Sequence, residues 1–164
     1  MRLVESMQIV SGFVPVDMQT AANEGDWVSL ANYGHCAVVL FKAAGTAGDD
    51  PVLALQQATD VAGTGAKDLT FTTIHTKQGA ALTAVGQYTE VTQSAATSYT
   101  DATSAELQAI WIVEIQPEDL DRDNGFYCLR ASVADVGGNA QLGAMLYLLS
   151  APRYAGDELV SAIA

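Results

Sequence analysis

At 164 residues the chain is long enough for one domain with a real core and short for two. Nineteen Asp and Glu against seven Lys and Arg give a formal charge of −12, and Lys42, Lys67, Lys77, Arg122, Arg130 and Arg153 stand singly, which excludes a clustered-cation surface for nucleic acid or an anionic membrane. Charged residues make up 16% of the sequence, against about 25% in ordinary soluble domains; a surface coated instead with Ala, Thr, Gly, Ser and Gln suits contact with other protein.

Residues 1–25 are expected to form an N-terminal arm, and residues 26–164 a single domain. The arm carries Leu3, Val4, Ile9, Val10, Phe13, Val14 and Val16, with Pro15 limiting any helix, before the polar stretch TAANEGD. Its apolar residues are interrupted by Glu5, Gln8 and Ser11, so no signal-peptide core forms. Strand-like apolar residues on a free arm are a liability, so they must pack on the domain or add to a neighbour's sheet edge.

Trp27 to Phe41 contains WVSLANYG, whose Gly34 marks a bend or bulge, and then the strong strand HCAVVLF. AAGTAGDDP breaks it. VLALQQATD (52–60) alternates as a strand, VAGTGAKD is a loop, and LTFTTIHT (69–76) is Thr-rich and β-branched. From 77 to 103 the chain is small and polar, with short strands expected around 82–85 and 88–93. Ser104 could cap a short helical turn, but a strand from about Leu107 is favoured.

Residues Ile110 to Tyr154 are the most informative. IWIVEIQ, a turn-like PEDLDRDNG, FYCLRASV, a second turn DVGGN and AQLGAMLYLLSAPRY read as consecutive antiparallel strands with acidic, Gly-bearing connections. A half-solvated sheet alternates inside and outside residues. Ile110, Trp111, Ile112 and Val113, then Leu146, Tyr147, Leu148 and Leu149, are instead apolar on both faces, so either a second sheet or a neighbouring subunit must cover the additional face. The fold class expected is all-β, an antiparallel sandwich or jelly roll with an extended N-terminal arm.

Candidate chemistry is thin. Glu118, Asp119, Asp121, Asp123, Asn124 and Gly125 resemble the opening of a calcium loop, but counting from Asp119 the sixth position is Asn124 rather than Gly and the twelfth is Arg130 rather than Glu. A solvated acidic turn is the expectation. His35, Cys36, His75 and Cys128 are the available soft-metal ligands; adjacent strand residues point to opposite faces, so His35 and Cys36 do not readily share one metal. Cys36 and Cys128 lie in apolar runs and read as buried thiols of a protein kept in a reducing cytoplasm. Gly63-Thr64-Gly65 lacks the rest of a phosphate loop, no G-x-S-x-G elbow exists, and paired H-x-H ligands of a cupin-type barrel are missing. No catalytic, cofactor-binding or metal-binding residue is therefore assigned, and no enzyme activity is expected.

DDPVLALQQATDVAGTGAKDL, followed by IWIVEIQPEDLDRDNGFYCLRASVAD and by AQLGAMLYLLSAPRY, resembles the small virion structural proteins of tailed bacteriophages, most of all the decoration or cement proteins that bind the outside of an assembled capsid. In outline the resemblance covers about Trp27 to Tyr154. It implies β-sandwich or jelly-roll subunits, oligomers on capsid faces or vertices, no enzyme activity and no cofactor. On that reading the partners are copies of the chain itself, as a trimer or pentamer, and the major capsid protein, with neither nucleic acid nor membrane involved. The protein would sit on the capsid exterior of a virion assembled in the bacterial cytoplasm. Leu3, Val4, Ile9, Val10, Phe13, Val14 and Tyr154 are the expected partner contacts. Two rival expectations are a neck or tail component, and a glycan-binding or host-recognition sandwich using Tyr88, Tyr99 and Tyr154.

Overall fold

In a computed structural model, residues 2–154 and 159–164 form two antiparallel six-stranded sheets packed face to face, with four short 3-10 turns and no α-helix among the described residues. The strands in chain order are β1 (Met7–Asp17), β2 (Asn23–Glu24), β3 (Val28–Ser29), β4 (Tyr33–Lys42), β5 (Leu53–Ala58), β6 (Lys67–Asp68), β7 (Phe71–Gly79), β8 (Thr89–Ala96), β9 (Ser98–Tyr99), β10 (Gln108–Ile115), β11 (Cys128–Val133) and β12 (Leu142–Pro152). The large sheet runs β1-β12-β4-β10-β7-β8. The small one runs β2-β11-β5-β6, with β3 pairing β11 and β9 pairing β5. The expected sandwich is thus the fold, although residues 155–158 of the expected domain lie outside the described residues.

Period-two alternation explains the packing. Cys36, Val38 and Leu40 of β4, Trp111, Val113 and Ile115 of β10, and Met145, Tyr147 and Leu149 of β12 all point inward. They meet Leu53 and Leu55 of β5 and Leu129, Ala131 and Val133 of β11 in one continuous core. Trp111 anchors it: its indole N–H donates to Gln78 Oε1 at 3.1 Å, and Tyr99 packs edge-on against its ring with centroids 4.9 Å apart. The chain end returns to seal one end of the sandwich, where Ala162 is buried, its carbonyl accepts Ser29 N–H, and the Tyr33 hydroxyl donates to the Val160 carbonyl.

The stretch expected as an arm is largely an edge strand of the protein's own large sheet. β1 pairs β12 from Met7↔Ser150 to Asp17↔Leu142, with register irregularities between Ser11 and Phe13 and between Phe13 and Val16. Of the two ways to satisfy its apolar residues, packing on the domain is the one adopted, because β12 offers an 11-residue edge of unpaired backbone groups. Two smaller expectations differ also. Leu82–Ala84 is a 3-10 turn rather than a strand, and the acidic segment holds two such turns, Pro117–Asp119 and Arg122–Asn124. Gly125 closes the second at φ +80°, a conformation that a side chain resists.

Candidate functional site

The outer faces of the two sheets differ in chemistry. On the small sheet the outward positions carry Gln56, Arg130, Ser132 and Glu24. Arg130 donates to Glu24 Oε2 at 2.8 Å and to Gln56 Oε1 at 2.6 Å while its guanidinium stacks on Trp27, so this face is a hydrogen-bonded polar surface suited to water.

On the large sheet the outward positions are mostly apolar across four neighbouring strands. Cross-strand rows read Ile9, Leu148, Ala37 and Glu114; then Ser11, Leu146, Val39 and Ile112; then Ala144, Phe41 and Ile110. Among the described residues nothing covers them. Phe41 is 53% exposed, Leu142 59% and Leu146 41%. The doubly apolar strands of the sequence are explained in halves: the small sheet covers one side, and the other faces outward. With strands about 4.8 Å apart and a rise of about 3.3 Å per residue, four strands over some eight residues present roughly 19 Å by 26 Å of continuous face. Charge enters at the far side, where β10, β7 and β8 bring Glu114, His75, Lys77 and Glu90. His35 approaches Glu114 at 3.8 Å and His75 approaches Glu90 at 4.0 Å.

At the Asp17–Leu142 end of β1, Pro15, Phe41, Ala43, Gln108, Leu142 and Ala144 line a hollow of about 240 Å³ with mainly apolar walls. At the opposite end, the 3-10 turn Leu3–Glu5 leaves Leu3 and Val4 exposed beside Met7 and Ile9. The expected contact residues therefore divide. Leu3, Val4, Ile9, Val14 and Tyr154 are exposed, whereas Val10 and Phe13 pack against the core, opposite Tyr147 and Met145. Alternation along β1 turns Val10 inward, and the irregularity after Ser11 lets Phe13 follow it. Phe41, Leu142 and Leu146 are exposed on the outer face and were not among the expected contacts; of the three, only Leu146 lies in one of the two doubly apolar runs read from the sequence, 146–149.

Groups with reactive potential are dispersed. His35 and His75 lie on the outer face of the large sheet, Cys36 in the core, and Cys128 on the other sheet, paired with Ser29 and Ala58. Among the described residues no group of three or more His, Cys, Asp and Glu gathers as a metal site. Burial pushes the Cys36 thiol up to about 12, far from a thiolate nucleophile at neutral pH. Lys42, 1% exposed, donates through Nζ to the carbonyls of Ser104 at 2.6 Å and Leu107 at 2.7 Å; burial lowers it to about 8 against the pull of Asp50 and Glu106. Those carbonyls tie it to the 104–107 segment as a structural clamp. In the acidic turn, Asp121 pairs with Lys67 and accepts both Asn124 Nδ2 contacts, at 2.8 and 2.9 Å. Tyr99 is buried against Trp111, so Tyr88, Tyr99 and Tyr154 do not form one exposed aromatic platform.

No helix among the described residues is long and apolar enough to cross a membrane. No family model and no curated protein matches the chain. Among solved structures its fold is similar to that of the SPBc2 prophage-derived protein YomS, at 12% sequence identity and a TM-score of 0.45, over 88% of this chain and 93% of that one.

Proposed function

We propose that the protein is a non-enzymatic structural subunit of a tailed-phage particle, a capsid decoration protein that associates with its own kind and binds the outer surface of the assembled shell. The observation that carries this reading is the exposed apolar face of the large sheet, set against the polar face of the small one. An apolar face of that extent in contact with water favours association, and its cover must come from protein. The low proportion of charged residues and the sequence resemblance to decoration proteins support the same role.

Repetition over a symmetric shell gives such a subunit its strength. Each contact need be only modest, because attachment at several points multiplies avidity without new contacts. The exposed Leu3 and Val4 are available to an adjacent subunit. The acidic turn at 117–125 remains solvated, and the net charge of −12 opposes non-specific aggregation.

The deciding experiment mixes purified protein with phage particles lacking it, sediments the particles, and counts bound copies by quantitative mass spectrometry. Saturable binding in proportion to the shell subunits is the expected result. About a dozen copies or fewer per particle would move the protein to the neck or tail. Failure to bind any particle component would sink the virion reading.

A further inference from the structure

We infer that the face of the large sheet is covered by a second copy of the chain, the two copies packing face to face about a two-fold axis that lies across the strands. This deepens the reading above and rests on it only for the premise that the face is covered by protein.

Three observations select a second copy. The first is charge. β12 contains no charged residue, the outward positions of β4 hold only His35 beside Ala37, Val39 and Phe41, and β1 reaches its one charge, Asp17, at its last position. In a chain of net charge −12 most surfaces repel their own copies, whereas these three strands present an apolar, nearly uncharged surface on both partners. The second is area. The four largely apolar strands offer roughly 19 Å by 26 Å at ordinary strand spacing, about 500 Å² per partner and about 1,000 Å² over two copies, the lower bound of a biological interface.

The third is shape. The hollow at Pro15, Phe41, Leu142 and Ala144 lies at one end of β1, and the exposed pair Leu3 and Val4 lies at the other. A two-fold axis along the strands would set each end against its like, hollow on hollow. An axis across the strands reverses the ends, so Leu3 and Val4 of each copy meet the hollow of the other. β1 then lies over β1 and the apolar half of each face over the apolar half of its mate. Such an interface is isologous and closes on itself. Aligned sheet packing at about 30° accommodates the twist of the two faces.

The test uses the full chain. Sedimentation equilibrium is expected to give twice the monomer mass, and L146D, which places a carboxylate at the middle of the face, is expected to give the monomer mass with an unchanged far-UV spectrum. V4C and L142C proteins, mixed and treated with a short thiol-reactive bis-maleimide, are expected to form a V4C–L142C crosslink, with no V4C–V4C product from V4C alone. A monomeric wild type, a dimer that persists in L146D, a V4C–V4C product, or a dimer with no V4C–L142C product would each overturn the arrangement. Particle binding is scored separately. A monomer that still decorates particles refutes the pairing and leaves the virion role, while a crosslinked pair that binds no particle does the reverse.

Discussion

Tyr147 accepts the backbone N–H of Ala131 at 2.9 Å, a hydrogen bond that passes from the large sheet to the small one through the core. Ala131 needs it because its outer neighbour is interrupted: β2 pairs with β11 at Ser132 and Val133, β3 pairs at Cys128 and Leu129, and between them no strand presents a carbonyl. Gly25 occupies the gap, donating its N–H to the Ala131 carbonyl at 2.9 Å, where a Cβ would collide with both the Tyr147 hydroxyl and that carbonyl. A side chain from one sheet thus completes the backbone bonding of the other.

Replacing Tyr147 by Phe keeps the ring and orphans a buried N–H. Loss of about 1–3 kcal/mol is expected, read as a lower denaturation midpoint at unchanged denaturant slope. An unchanged midpoint would show that Ala131 finds another acceptor. Gly25→Ala is expected to destabilise as well, by displacing the same hydroxyl.

Lys42 predicts a pH dependence opposite to that of a paired lysine. Its folded value, about 8, lies below the ordinary 10.5, so between those values the unfolded chain binds more protons than the folded one. Stability contributed through this group therefore rises as pH climbs from about 8 to about 10.5, by on the order of 3 kcal/mol at 1.36 kcal/mol per unit. Urea titrations of the wild type and Lys42→Met across that window isolate it. The wild type should gain on the variant with rising pH; parallel curves would show that the clamp holds a fully stabilised ammonium.

Asp121 gives an acid-side counterpart. The hydrogen bond from Lys67, then that from Asn124, holds its carboxyl below the usual carboxylate range. Its stabilisation is present above the unfolded value, roughly 3.9, and fades as pH falls through the folded one. Asp121→Asn should be less stable than wild type at neutral pH and converge with it as pH falls through the folded value. With both carboxylate oxygens already engaged by Asn124, added calcium is expected to leave the melting temperature unchanged; a rise of several degrees would reopen the calcium loop.

The cysteines predict a reactivity pattern. Burial raises both thiols, Cys36 to about 12, and their strands belong to different sheets. An aromatic disulfide reagent should label neither in the native protein and both after unfolding. Prompt native labelling of Cys36 would contradict the packing around β4.

The sequence by itself determined the strand inventory where side chains alternate or stay apolar. HCAVVLF, VLALQQATD, IWIVEIQ, FYCLRASV and AQLGAMLYLL each became a strand within a few residues of expectation, because period-two burial is a local property. It also showed Ile110 to Val113 and Leu146 to Leu149 to be apolar on both faces, of which the small sheet covers one. What it could not determine was the pairing: β12 lies between β1 and β4, and β10 between β4 and β7, partners more than sixty residues apart in three of those four contacts, chosen by which edges and faces remain open after folding. The same closure decided the arm and the exposed apolar face. An unpaired β12 edge drew in Met7–Asp17, the irregularity after Ser11 turned Phe13 toward the core, and the small sheet covered only one side of the large one. Whether an apolar residue such as Phe41 ends inside or outside depends on what lies across from it, and that is a property of the assembled sheets rather than of its neighbours in the chain.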